Sequence, residues 1–253
     1  MQERLTQELK YYLSAQSFLT RLPTPEWVGH DENRLARAAK WFPIVGLLLG
    51  IIAGSIWAIF SWLTAPTIAA GITMAALALL TGALHEDGFA DCCDGLGGGS
   101  TTERALEIMR DSRIGAYGAV GLILSIGLRW SALSSFEIWS GITAFIIALT
   151  TARASMVLIL RFGTYARPSG AADSAASGVE IDETAMAIGL ALLIALILGG
   201  PTGLMVSIGA FILSFIWLKW LTRKIGGYTG DGLGAAEQIS QIFILIALAG
   251  FWA

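Results

Sequence analysis

The chain has 253 residues, of which 55% are hydrophobic and only 14% charged, with a formal net charge of −3. A soluble domain ordinarily carries about 25% charged residues, so this composition excludes one and points to an integral membrane protein. The small negative charge gives no reason to expect a nucleic-acid partner.

Residues 1–40 are polar and carry an amphipathic helix in which Leu5, Leu9, Tyr12, Leu13 and Gln16 fall near one face. This segment is expected to lie on the membrane surface or to cap the bundle. No apolar core flanked by a cleavage site appears in the first 35 residues, so no removable signal peptide is expected. Crossing the hydrocarbon core takes roughly 17–25 mostly apolar helical residues. Seven segments qualify: 42–63, 66–84, 116–134, 138–160, 185–200, 202–221 and 238–253. The fifth and seventh are short, which leaves six as the alternative count. The expected fold is all-α, a polytopic membrane helix bundle forming one domain over 1–253. Gly46, Gly50 and Gly54, spaced by four in the first span, let a second helix approach closely, either within the chain or in a homo-oligomer.

Basic residues orient the bundle. They lie in 1–40, in the connections 85–115 and 161–184, and after the sixth span at Lys219, Arg223 and Lys224. The opposite connections, near Ser135, Gly200 and the C-terminus, carry none beyond Arg129. The positive-inside rule therefore puts the N-terminus and the connections 85–115, 161–184 and 222–237 in the cytoplasm. Arg129, the exception, is expected to snorkel outward rather than line the interior.

One stretch departs from this apolar pattern: LHEDGFADCCDGLGGG, Leu84 to Gly99, directly after an uncharged span. Asp87, Asp91 and Asp94 are separated by four and then three residues, which puts them on one helical stripe. Three like charges on one face repel, and at membrane depth each costs about 2.5–3.5 kcal/mol. A cation on that face offsets both costs, and oxygen-only ligation suits a hard divalent ion, Mg²⁺ or Mn²⁺. The alternative is a solvated acidic helix end. Cys92 and Cys93 are neighbours with no second pair, so buried thiols are expected rather than a zinc site or a disulfide framework. His85 could serve as a general base, as a support for the ligands or as a helix-end hydrogen bonder.

The other cytoplasmic connections are suited to phosphate. MRDSRIGAYG (Met109–Gly118) supplies Arg110 and Arg113, RFGTYARPSG (Arg161–Gly170) supplies Tyr165 and Arg167, and GGYTGDGLGA (Gly226–Ala235) supplies Asp231 among glycines. Arginine forks match phosphate oxygens, and glycines let backbone amides approach them. Together with the acid face these loops imply a phosphate or diphosphate substrate held through Mg²⁺. The 161–175 segment, with Pro168, Gly170 and small residues to Gly178, has the composition of a lid.

LHEDGFADCCDGL fits H-x-D-G-x-x-D-x-x-D-G, and at these residues the chain resembles the cobalamin synthase family. FLTRLP (Phe18–Pro23), MRDSRIGAYG, YARPSG and GGYTGDGLGA extend the resemblance over nearly the whole chain, in order. It implies a multi-pass enzyme of the bacterial inner membrane that acts at the last stage of cobalamin assembly. Such an enzyme joins adenosylcobinamide-GDP to α-ribazole, or to α-ribazole 5′-phosphate, releases GMP and needs Mg²⁺. On that chemistry Asp87, Asp91 and Asp94 are expected to hold Mg²⁺, with a second ion shared with Asp231. Arg110, Arg113 and Arg167 would neutralise the phosphate oxygens. Asp94 or His85 would take the hydroxyl proton, and Tyr165, Arg153 and Gly230 complete the expected substrate-binding set.

Two other readings fit less well. A CDP-alcohol phosphotransferase would need D-G-x-x-A-R after its first aspartate, whereas Gly88 is followed by Phe89, Ala90 and Asp91. A divalent-cation transporter would carry acids within its spans and often an inverted repeat, and neither is visible.

Overall fold

The computed structural model describes residues 2–29, 34–167 and 178–252. The described residues form ten α-helices and no strand: α1 Gln2–Leu19, α2 Arg34–Ala38, α3 Phe42–Leu63, α4 Pro66–Thr81, α5 Leu84–Gly98, α6 Thr102–Ile108, α7 Ala116–Ser134, α8 Ile138–Phe162, α9 Ile181–Ile225 and α10 Gly230–Trp252. Five stretches are long and apolar enough to cross a membrane: Arg34–Leu63, α7, α8, α9 and α10. The bent pair α4–α5 makes a sixth if counted as one broken span.

The bundle is built around α8. Every residue from Ile147 to Leu160 is buried, as expected of a helix that is apolar on all sides. It packs against α3, α9 and α10. The glycine stripe of α3 explains the closest of these contacts. A Cβ on Gly50 would stand 2.7 Å from Ile146 Cα, one on Gly54 would stand 3.3 Å from Ile142 Cα, and Gly46 lies against the Leu149 carbonyl. The stripe therefore packs within the chain.

The 45-residue α9 is not one straight rod. Ala191 and Phe211 would be about 30 Å apart along a continuous helix. Both instead share one cluster with Ala154 and Leu158 of α8. The reversal occurs at Gly200, with φ 59° and ψ −153°, followed by Pro201. A Cβ on Gly203 would sit 2.5 Å from the Ala195 carbonyl oxygen, which only a chain doubling back allows. This is the division expected between 185–200 and 202–221. Both ends of α9 meet the same side of the protein: Arg37 of α2 pairs with Glu180 and Glu183, and the Thr102 hydroxyl donates to the Lys224 carbonyl.

The second expected span, 66–84, ends earlier. Gly82 (φ 68°) and Ala83 (φ 56°) are both left-handed, and α5 leaves α4 at 90°. The Arg21 amide donates to the Leu80 carbonyl at 2.7 Å, and its side chain lies against Gly82, so FLTRLP buttresses this corner. The acid-rich segment is thus a helix set across the end of the bundle. In α1, Leu5 and Leu9 are exposed while Ala15 and Leu19 are buried.

Candidate active site

The site is assembled where α5 crosses the start of α10, and glycines permit the crossing. A Cβ on Gly88 would lie 2.9 Å from Asp231 Cα, and one on Gly234 would lie 3.3 Å from His85 Cα. This near contact of backbones sets Asp87 and Asp91 of α5 beside Asp231, close enough for the three carboxylates to repel one another. Asp87 is exposed, and Asp91 and Asp231 are half-buried.

Two loops that are distant in sequence complete this face. Tyr165 and Tyr228 form a parallel bridge, in which the Ala166 amide donates to the Tyr228 carbonyl (2.8 Å) and the Tyr228 amide to the Thr164 carbonyl (2.9 Å). Their rings meet edge to face at 5.6 Å. Gly227 lies directly against the Thr164 carbonyl, where no side chain fits. The bridge aims Arg167 at Asp231, whose Oδ2 accepts from the guanidinium at 2.8 Å and from the Thr229 hydroxyl at 3.3 Å. Gly230 opens α10 at this point. YARPSG and GGYTGDGLGA are therefore parts of one structure. Of the expected lid, 161–175 with small residues to Gly178, residues 168–177 with Pro168 and Gly170 lie outside the described residues.

Asp94 shares the stripe of Asp87 and Asp91 but has different partners. Its carboxylate accepts from the Gly115 amide at 2.7 Å and the Gly118 amide at 2.8 Å, and so caps the N-terminus of α7. A Cβ at either glycine would strike that carboxylate. Both glycines of MRDSRIGAYG are accounted for by Asp94. Beside it opens a cleft of about 440 Å³ lined by Arg104, Asp111, Arg113 and Tyr117. There the Arg113 side chain and amide donate to Asp111 and hold its carboxyl down at about 2. Arg110 is exposed on the same connection.

Among the described residues no three His, Cys, Asp or Glu side chains converge in metal-ligating geometry. Asp87, Asp91 and Asp231 nevertheless make an oxygen-only donor set with Arg167 as its one paired cation, which is the chemistry a hard divalent ion requires. Cys92 is buried, Cys93 is half-buried, and both are free thiols.

Beneath the acid face lies a buried polar network that sequence reasoning missed. Arg153 Nη1 donates to Glu237 at 2.9 Å, with both side chains 1% exposed. Gln238 donates to Glu237 and Glu86, and Arg129 donates to Glu86 (3.2 Å) and Gln241 (2.6 Å). Arg129 does not snorkel outward. It turns inward because two acceptors from α5 and α10 wait there, and in a dry interior a paired cation costs less than a free one. Arg153, expected at the substrate, is sealed in this layer. His85 is 2% exposed, and neither ring nitrogen has a hydrogen-bond partner. Two arginines balance two glutamates, so the layer is neutral and reads as glue rather than as an ion path. The available signal was Glu237, Gln238 and Gln241 in an otherwise apolar span.

A family described as cobalamin-5-phosphate synthase matches residues 11–249. Similar proteins include three called adenosylcobinamide-GDP ribazoletransferase. The one from Vibrio parahaemolyticus is 35% identical over 99% of this chain and 96% of its own. That from Bradyrhizobium diazoefficiens is 44% identical over 94% and 92%, and that from Sinorhizobium medicae is 42% identical over 92% and 93%. No solved structure matches the chain.

Proposed function

The chain belongs to the cobalamin-5-phosphate synthase family, and from that premise we propose that it joins adenosylcobinamide-GDP to α-ribazole or α-ribazole 5′-phosphate and releases GMP. A ribose hydroxyl oxygen forms the new bond to the phosphorus that carries the corrinoid arm. The bond from that phosphorus to the GMP oxygen breaks, and the hydroxyl proton passes to the acid face. The observation that carries this reading is the meeting of the acid motif of α5 with Asp231 at Gly88, and of Asp231 with Arg167 through the Tyr165–Tyr228 bridge. Three separate motifs of the chain thereby meet at one face suited to a diphosphate.

Asp87, Asp91 and Asp231 would hold Mg²⁺. Bound there, Mg²⁺ supplies charge neutralisation for the diphosphate and its leaving group. Arg167, held by the loop bridge, supplies a fork to the phosphate oxygens once substrate draws it from Asp231. Arg110 and Arg113 bring further positive charge at the rim. Asp94 acts by fixing the entry of α7 against α5, which sets the width of the adjoining cleft. The reading includes seven crossings, with the halves of α9 on either side of Gly200 counted separately, the N-terminus in the cytoplasm of a bacterial inner membrane, and the acid face on that side. The clustering of Arg and Lys on the connections that meet this face supports the orientation.

The test is a product assay on the purified chain in nanodiscs, supplied with adenosylcobinamide-GDP, α-ribazole 5′-phosphate and Mg²⁺. Release of GMP with a new corrinoid product is expected, lost on EDTA treatment and in Asp91→Asn. No GMP from folded wild type would refute the reaction, and full activity in Asp91→Asn would refute the metal face.

A further inference from the structure

Two adjoining cavities lie on the far side of α5 from the acids. One is apolar, about 430 Å³, with Phe89, Leu96, Leu124, Trp217 and Trp220 in its walls. The other is polar, about 240 Å³, and is lined by Ser100, Thr101, Thr102, Arg223 and Lys224. Leu96 belongs to both. We propose that together they bind an anionic glycerophospholipid, with its phosphate against Arg223 and Lys224 and an acyl chain in the apolar cavity.

The order of groups along α9 carries the assignment. Trp217, Trp220 and Lys224 recur at i, i+3 and i+7, so they form one stripe running from the helix end into the bundle. Cations come first, then two indoles 5.2 Å apart, then the aliphatic wall. That is the sequence of environments a phospholipid presents from headgroup through interface to chain. The first indole is held in place: Trp217 Nε1 donates to the Gly232 carbonyl at 2.9 Å. Among the described residues neither Arg223 nor Lys224 forms an ion pair. The Thr102 hydroxyl, bonded to the Lys224 carbonyl, fixes α6 as the opposite wall of the headgroup cavity. A zwitterionic lipid would fill the apolar part but gain little from two unpaired cations. A free phosphate would satisfy the cations and leave the indole-lined cavity empty. The inference does not rest on the proposed reaction.

The full chain, delipidated in detergent, would be titrated with phosphatidylglycerol and with phosphatidylcholine of matched chains, and bound lipid counted by native mass spectrometry. Each cation at an anionic headgroup is worth about fivefold, so phosphatidylglycerol should bind roughly thirtyfold tighter. Replacing Arg223 and Lys224 together by Gln, which keeps the stems and the helix, should abolish that preference. Trp220→Ala should weaken both lipids and leave their ratio unchanged. Equal binding of the two lipids by wild type, a preference that survives the double replacement, or glycerol 3-phosphate binding as tightly as the lipid would each overturn the proposal.

Discussion

Asp94 gives the sharpest test of how the acid stripe divides its work. Its two oxygens take the Gly115 and Gly118 amides at 2.7 and 2.8 Å. A hydrogen bond to a charged acceptor contributes about 1.5–3 kcal/mol. Asn at this position keeps one oxygen for one amide and turns an NH₂ toward the other, leaving donor against donor. Asp94→Asn should therefore destabilise the protein by about 2 kcal/mol, in line with losses at helix caps. Asp87→Asn and Asp91→Asn should behave oppositely. Each removes a charge repelled by Asp231 and breaks no hydrogen bond given by the structure, so stability should hold or rise slightly. All three should lower GMP release, the first through a loosened α5–α7 joint and the other two through the proposed metal face. Reversible unfolding in mixed SDS and dodecylmaltoside micelles, followed by circular dichroism, measures stability beside the product assay. An Asp94→Asn protein as stable as wild type yet inactive would refute the capping role and return Asp94 to the ligand set.

Three further outcomes follow from the packing. Gly50→Ala places a Cβ 2.7 Å from Ile146 Cα, which is backbone and cannot step aside, so the α3–α8 contact should lose about 1–3 kcal/mol in the same SDS titration. Gly200→Ala forces a side chain onto φ 59° and ψ −153°, a glycine-only conformation, at a cost of about 1–3 kcal/mol, seen as a lowered thermal midpoint. Arg153→Met strands Glu237 without its cation, with the Gln238 amide left beside it, in a site 1% exposed and should cost about 3–5 kcal/mol. Adding Glu237→Leu should recover most of that loss, and strict additivity of the two replacements would show that the pair is not coupled.

The spans and the acid helix were legible because hydropathy and helical spacing are local properties. The break at Gly200–Pro201 was visible as the gap between two apolar runs. The positions of Asp87 and Asp91 on one stripe followed from their spacing alone. Asp94 shows where that logic ends. Its spacing is that of a third ligand, but its partners are two amides more than twenty residues later, and helical periodicity carries no information about them. The corner at Gly82–Ala83 was equally hidden, because Ala83 gives no sequence hint of a positive φ. Arg129 was read from its isolation among loop cations. What decides its direction is the presence of Glu86 and Gln241, which sequence alone does not bring to it. Arg153 belongs to the expected substrate-binding set, whereas burial on the central helix commits it to Glu237.

α5 is the element through which the two halves of this design meet. One side of it carries His85 and Glu86 into the bundle, where Glu86 bonds to Arg129 and Gln238. The other carries Asp87 and Asp91 outward to Asp231. Like charges set this close would spread apart on a free helix. Here the backbones of α5 and α10 are pinned at Gly88–Asp231 and Gly234–His85, and the neutral network below holds the same two helices together. The packing of the bundle thus offsets the repulsion, and the acids stay clustered without a cation between them. A residue with a side chain at Gly88 would wedge open a contact that sets the Asp87–Asp231 distance. The glycine of the acid motif is therefore as much a part of the site as its aspartates, and the membrane bundle is the clamp that makes their crowding affordable.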